Sequence, residues 1–226
     1  MKNLLLILFV LSTNIVSGQT CEGFFPNTKD AVMEMTSFND KNKAQTISTT
    51  TIQNVENRGN DVNLTLHADI VDEKNKPLAK IDYDAYCSQG TFFISMKSLI
   101  SSDQLKAWES MTVKIDANDV SYPLNCSPGQ KLDDASLKVD VFMNEMKMPG
   151  MTINVTDRLI VGNESITTPA GTFDCVKISA TQKVKYIIGY EMHTIEWLSK
   201  GNGIVRSESY KGEKLKGYTV LTKLTK

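Results

Sequence analysis

From about Val32 onward apolar residues recur at every second position, the repeat of strands with one face buried and the other wet. Val62, Leu64, Leu66, Ala68 and Ile70 alternate with Asn63, Thr65, His67 and Asp69. The pattern returns at Ile81-Tyr83-Ala85-Cys87, Val113-Ile115, Leu137-Val139-Val141, Ile153-Val155, Val176-Ile178, Val184-Tyr186-Ile188 and Tyr218-Val220. Between these runs stand Asn39-Asp40-Lys41-Asn42, Asn57-Arg58-Gly59-Asn60, Asn75-Lys76-Pro77, Ser88-Gln89-Gly90, Pro149-Gly150, Pro169-Ala170-Gly171, Gly201-Asn202-Gly203 and Lys211-Gly212. Gly and Asn tolerate positive φ and Pro presets it, so these clusters are expected to be hairpin corners. Such short connections require antiparallel neighbours. The expected fold is all-β, a curled antiparallel sheet or half-barrel of about ten strands with one short helix. That helix is placed at Ser102 to Ser110, capped by Ser101, with Gln104 completing a capping box and Leu105 and Trp108 forming its apolar stripe.

The chain opens differently. Lys2 precedes the apolar run Leu4 to Leu11, and Val16-Ser17-Gly18 supply small residues at a cleavage edge. Residues 1–18 therefore read as a secretory signal peptide, too short to span a bilayer, and residues 19–226 as one β-rich exported domain. The alternative is a long two-lobed sheet with its midpoint near Cys126-Ser127-Pro128-Gly129. The expected location is periplasmic or extracellular, with no membrane span after cleavage. Formal net charge is −1 for the 226 residues, without a run of like sign, so neither nucleic acid nor anionic headgroups are favoured partners.

Export puts Cys21, Cys87, Cys126 and Cys175 in a compartment where disulfides persist, and their even number favours two bridges. Of three connectivities the reading leans to Cys87–Cys126 with Cys21–Cys175, the second tying down the N-terminus. No Cys-x-x-Cys or Cys/His pair points to a metal. Gln19-Thr20 before Cys21 argue against a lipidated cysteine.

Chemistry is sparse. His67 and His193 are the only histidines, and no Gly-x-Ser-x-Gly elbow or His-Glu-x-x-His is present. Asp82 and Asp84 share a strand face, a spacing open to a cation or an acid/base pair but equally that of a solvated face. Met143, Met146, Met148 and Met151 form a methionine cluster with three readings: Cu(I) ligation, irregular gap filling, or a repacking wall for an acyl chain. The last makes Met146, Met148, Met151, Trp108, Trp197 and Phe142 the candidate ligand lining. No catalytic residue, metal site or cofactor is assigned.

Thr168-Pro169-Ala170-Gly171-Thr172-Phe173-Asp174-Cys175, together with Tyr122-Pro123, Glu196-Trp197 and the run Gly201 to Tyr210, resembles the TapB-like family of exported bacterial proteins. That family is typical of Bacteroidota and related to a larger group of domains of unknown function. The likeness runs from Cys21 to Leu221-Thr222. It implies export and a curled antiparallel all-β sheet, and brings no catalytic residues. Lacking a following helix and lysine, neither Gly171 nor Gly201-x-Gly203 belongs to a phosphate or dinucleotide loop. The expected function is a non-enzymatic exported envelope protein that binds or carries an apolar or amphiphilic ligand such as a lipid. The alternative is a structural or assembly module pairing with an envelope protein through a strand edge or apolar patch, and a hydrolase built on Asp82 and Asp84 is third.

Overall fold

Alternating burial along Asp61–Asp72, with Val62, Leu64, Leu66 and Ala68 inward, follows the sequence pattern and sets the inner wall of a single continuous sheet. The computed structural model describes residues 21, 23–100, 102–186 and 189–226, the side chains of Ser102 and Asp103 excepted. The leader, the cap assigned to Ser101 and the expected strand residue Ile188 lie outside the described residues.

The strands are β1 Val32–Asn39, β2 Ala44–Arg58, β3 Asp61–Asp72, β4 Pro77–Ser88, β5 Thr91–Ile94, β6 Thr112–Asn118, β7 Val120–Pro123, β8 Ala135–Met143, β9 Met146–Thr168, β10 Gly171–Lys185, β11 Gly189–Ser199, β12 Gly203–Lys211 and β13 Lys214–Thr225. A 3-10 turn, Met96–Leu99, and one helix, α1 Ser102–Ala107, join β5 to β6. The helix is shorter than expected. The sheet runs β6-β8-β9-β10-β11-β12-β13-β1-β2-β3-β4-β5-β7, antiparallel at every described pairing. Its two edges, β6 and β7, are consecutive in the chain with only Asp119 between them, so the sheet curls into a nearly closed barrel. Asp119 helps to fasten the seam, its carboxylate accepting the Met96 N–H at 3.0 Å.

Thirteen strands replace the expected ten or so. The Thr- and Ser-rich β2 lacks the contrast of apolar and polar positions that marks a strand, although Thr50 and Ile52 face the core. β5 and β7 are too short for periodicity to register. Conversely, the runs at Val176 and Val184 belong to one strand, β10. Pro149-Gly150 is no corner either: the chain turns at Asn144 and Glu145, both at positive φ, and continues through Pro149 and Gly150 in a bulge opposite Asp140. A Cβ at Gly150 would stand 2.0 Å from the Val139 carbonyl oxygen. Gly150→Ala should therefore cost about 1–3 kcal/mol through backbone displacement, seen as a lower urea midpoint at unchanged slope.

Two clusters fill the barrel. The larger gathers Phe24, Ile52, Leu66, Phe92, Ile160, Leu198, Val205 and Leu221. The second packs Met96, Ile100, Trp108, Leu137, Val139, Val141, Met151 and Ile153 beneath the β5–β6 connector, and Val120 touches both. Each fully buried large aliphatic contributes about 1.5–3 kcal/mol. Antiparallel order sorts the connections to two ends. One carries the connector with the β1–β2, β3–β4, β8–β9, β10–β11 and β12–β13 turns; the other carries the remaining turns and the N-terminal segment.

That segment is bolted in place by Cys21–Cys87, a bridge across 66 residues. Neither expected pair forms; Cys126 and Cys175 are free thiols. The reason is a neighbour that spacing does not reveal. Phe24 and Phe25 pack edge-on against Phe92, whose strand β5 places it opposite Cys87 on β4, and this brings Cys21 to that position.

Candidate functional site

A cavity of about 170 Å3 lies inside the barrel, walled mainly by Ile94, Met96, Val120, Val155, Ile178 and Ile204, with Ser95, Ser98, Gln182, Thr194 and exposed Leu99 also in its lining. One side of it is polar. Tyr122 of β7, Arg158 of β9 and Glu196 of β11 converge there from strands far apart in sequence.

Arg158 reaches the interior through a bulge. Inward positions on β9 are Met151, Ile153 and Val155; a strict repeat of two continues to Asp157 and turns residue 158 outward. Instead Asp157 takes φ 54° and the register slips where Thr156 faces Thr181 and Leu159 faces Ser179. The inward set becomes Arg158 and Ile160, and Arg158 is left 3% exposed. Its guanidinium donates to the carbonyls of Asp133 at 2.6 Å and Ser121 at 2.9 Å and lies over the Tyr122 ring, 4.9 Å from the centroid. Tyr122 donates its hydroxyl proton to Glu196 Oε2 at 3.3 Å.

Glu196 is half-buried and lines the cavity. Burial holds its carboxyl above the ordinary carboxylate range, while the Arg158 charge and the Tyr122 hydrogen bond pull the other way. Burial, with Glu196 beside it, pushes the Tyr122 phenol far up, so it remains a donor. The arrangement offers a proton-bearing or anionic carboxyl and a phenol to a guest whose apolar part fits the walls. Arg158 is occupied with the backbone and balances charge.

The sequence-derived lining residues are elsewhere. Trp108 and Met151 are buried in the second core and Met148 is packed against it, while Met146 is 63% exposed beside the β8–β9 turn. Phe142 is half-buried with the Lys114 ammonium 5.4 Å from its centroid. Trp197, adjacent to Glu196 on β11, faces away from the cavity; Lys177 and Arg206 flank its ring and its Nε1 donates to Glu164 at 2.9 Å. Asp82 meets His67, which also pairs with Asp69, on an exposed strand face, and Asp84 accepts from Thr65. His193 is exposed beside Tyr210. The Cys126 thiol donates to the Pro123 carbonyl and the Cys175 thiol to that of Phe173; burial raises both, Cys175 to about 11. A wider depression of about 740 Å3 beside Cys175 and Lys200 is open to solvent and gathers no comparable set of enclosed polar groups.

Tyr122 and Glu196 both lie in the stretches that carry the family resemblance, yet nothing in their neighbours marks them as partners. Arg158, one of three arginines in the chain, had only its rarity as a signal.

A family model described as DUF3108-like matches residues 28–221. A crystal structure described as an exported protein with YmcC-like fold, from Bacteroides fragilis, is 25% identical with a TM-score of 0.73, covering 90% of this chain and 99% of that one. Another, described as a lipoprotein from Parabacteroides distasonis, is 28% identical with a TM-score of 0.75, covering 92% and 100%. Among curated proteins none matches. These relatives agree with the exported, all-β content of the resemblance, and the TapB-like label has no counterpart among them. No helix among the described residues is long and apolar enough to cross a membrane.

Proposed function

The chain belongs to the DUF3108-like family, and on that premise we propose that it is a non-enzymatic protein of the cell envelope, periplasmic or extracellular, that holds the apolar end of an amphiphilic ligand inside its barrel. The observation that carries this reading is the cavity itself: apolar walls ending on Tyr122, Glu196 and Arg158. Its 170 Å3 compares with the roughly 150 Å3 of an engineered apolar cavity that takes up benzene, so a short acyl segment or a single ring fits. Polar groups at one side of an apolar chamber fix the orientation of a guest. The rival reading, assembly through a strand edge, finds less support because β6 and β7 meet at Asp119, with the 3-10 turn against β6.

Protein purified from its own host and sprayed under native conditions should carry a small-molecule adduct released on denaturation. Ala180, 7% exposed on the cavity wall, is the position at which to block it. Octanoate at about a hundred times its dissociation constant should stabilise the protein by about 2.7 kcal/mol. Ala180→Leu should abolish that gain while circular dichroism stays unchanged. An adduct-free protein that octanoate and phenylacetate both leave at the same melting temperature ends the proposal.

A further inference from the structure

The described residues include nine large apolar side chains that are exposed, and they are not scattered. Leu78, Leu99, Leu105, Met143, Met146, Tyr186 and Tyr190 all lie at the end of the barrel that carries the α1 connector. Ile115 and Val161 lie within strands, and none of the nine lies at the opposite end. The seven stand on separate projections: the start of β4, the connector, the β8–β9 hairpin and the β10–β11 hairpin. Scattered single apolar residues need no explanation, but a concentration on one end does.

Charge is sorted in the same direction. Within two residues of the six connections at that end there are ten lysines against seven carboxylates; around the five at the other end three basic residues meet three acidic ones. Lys41, Lys43, Lys211 and Lys214 lie around the two turns without exposed large apolar residues, so the end combines an apolar arc with a basic one. The net charge of −1 averages over both ends and hides this.

We propose that the connector end of the barrel is a docking surface for a lipid bilayer bearing anionic headgroups, its apolar tips entering the interface while the lysine arc faces the headgroups. Projecting tips, unlike a groove, reach the headgroup region separately and need no matching contour on the other side. Tyrosine beside lysine is the composition of membrane-interface belts, and apolar insertion and electrostatic attraction add in peripheral binding. A surface in this position also puts exposed Leu99, part of the cavity lining, against the bilayer. The inference does not depend on the cavity holding a ligand.

Flotation of the mature protein with vesicles of phosphatidylcholine, with and without phosphatidylglycerol, tests it. The protein should float with the phosphatidylglycerol vesicles, less so as salt is raised. Leu105→Ser, Met146→Ser and Tyr190→Ser together should lower the bound fraction about tenfold, since apolar area drives insertion. Val161→Ser, on an exposed strand position, should leave it unchanged. Lys211→Glu with Lys214→Glu should remove the preference for phosphatidylglycerol without touching the apolar tips. Protein that stays in the soluble fraction with both vesicles overturns the proposal, and so does flotation that the triple substitution leaves intact.

Discussion

Arg158→Met is expected to destabilise the protein by about 3–5 kcal/mol, because two buried charge-assisted hydrogen bonds to backbone carbonyls are lost at about 1.5–3 kcal/mol each. For a chain of this size that is a fall of about 6–20 °C in melting temperature. Three consequences coincide at this side chain: Glu196 loses the positive charge that offsets its burial, and the carbonyls of Asp133 and Ser121 each lose a donor. Glu196→Gln should cost far less, because a neutral amide still accepts the Tyr122 hydroxyl. If Arg158→Met is restored toward wild-type stability by adding Glu196→Gln, the two act as a pair. Equal and additive losses would refute that.

The same carboxyl sets a pH dependence. Its folded pKa lies above the unfolded value near 4.5, so the native state binds the extra proton between them. The Glu196 contribution is thus present below pH 4.5 and lost as pH rises through the folded pKa; Glu196→Gln should remove this fall. Glu164 works in the opposite sense. A hydrogen bond from Trp197 and the adjacent Lys177 hold its pKa down, so its contribution is lost as pH falls. Urea midpoints across pH for wild type and Glu196→Gln separate the two.

Cys21→Ser with Cys87→Ser should cost about 4 kcal/mol on the chain-entropy model for a bridge spanning 66 residues. The loss has a local sequel. Phe24 and Phe25, buried against Phe92 and Tyr122, are held at the barrel's N-terminal end by this bridge and by two hydrogen bonds, from Gly201 N–H to the Gly23 carbonyl and from Gly203 N–H to that of Phe24. Released, they should raise binding of a hydrophobic dye before global unfolding. Thiol titration of the denatured, unreduced protein should give two free thiols, Cys126 and Cys175. A count of none would mean that a second bridge forms.

Much of the architecture was legible along the chain because a half-buried strand writes its own period: β3, β4 and β8 alternate, and the Gly- and Asn-bearing turns that flank β3 and β4 stand where expected, whereas the corner after β8 lies at Asn144-Glu145 and not at Pro149-Gly150. Where both faces are weakly distinguished, as in Thr-rich β2, the signal vanishes. The site was harder to read for a different reason. Tyr122 and Glu196 are separated by 74 positions and meet only because β7 returns to the sheet's edge after the connector has crossed the seam. Arg158 turns inward only because one extra residue is accommodated opposite Ala180, which reverses the face of the positions that follow until a second shift at Val161.

Residue order alone therefore determined strand-forming segments, antiparallel neighbours and the absence of a recognisable reaction motif, since these depend on local periodicity and turn chemistry. Closure decided the rest: which cysteines meet, which ionisable groups share one cavity, and which tips gather at one end. Those are properties of register and curvature summed over thirteen strands, and a slip of one residue in any of them changes the answer.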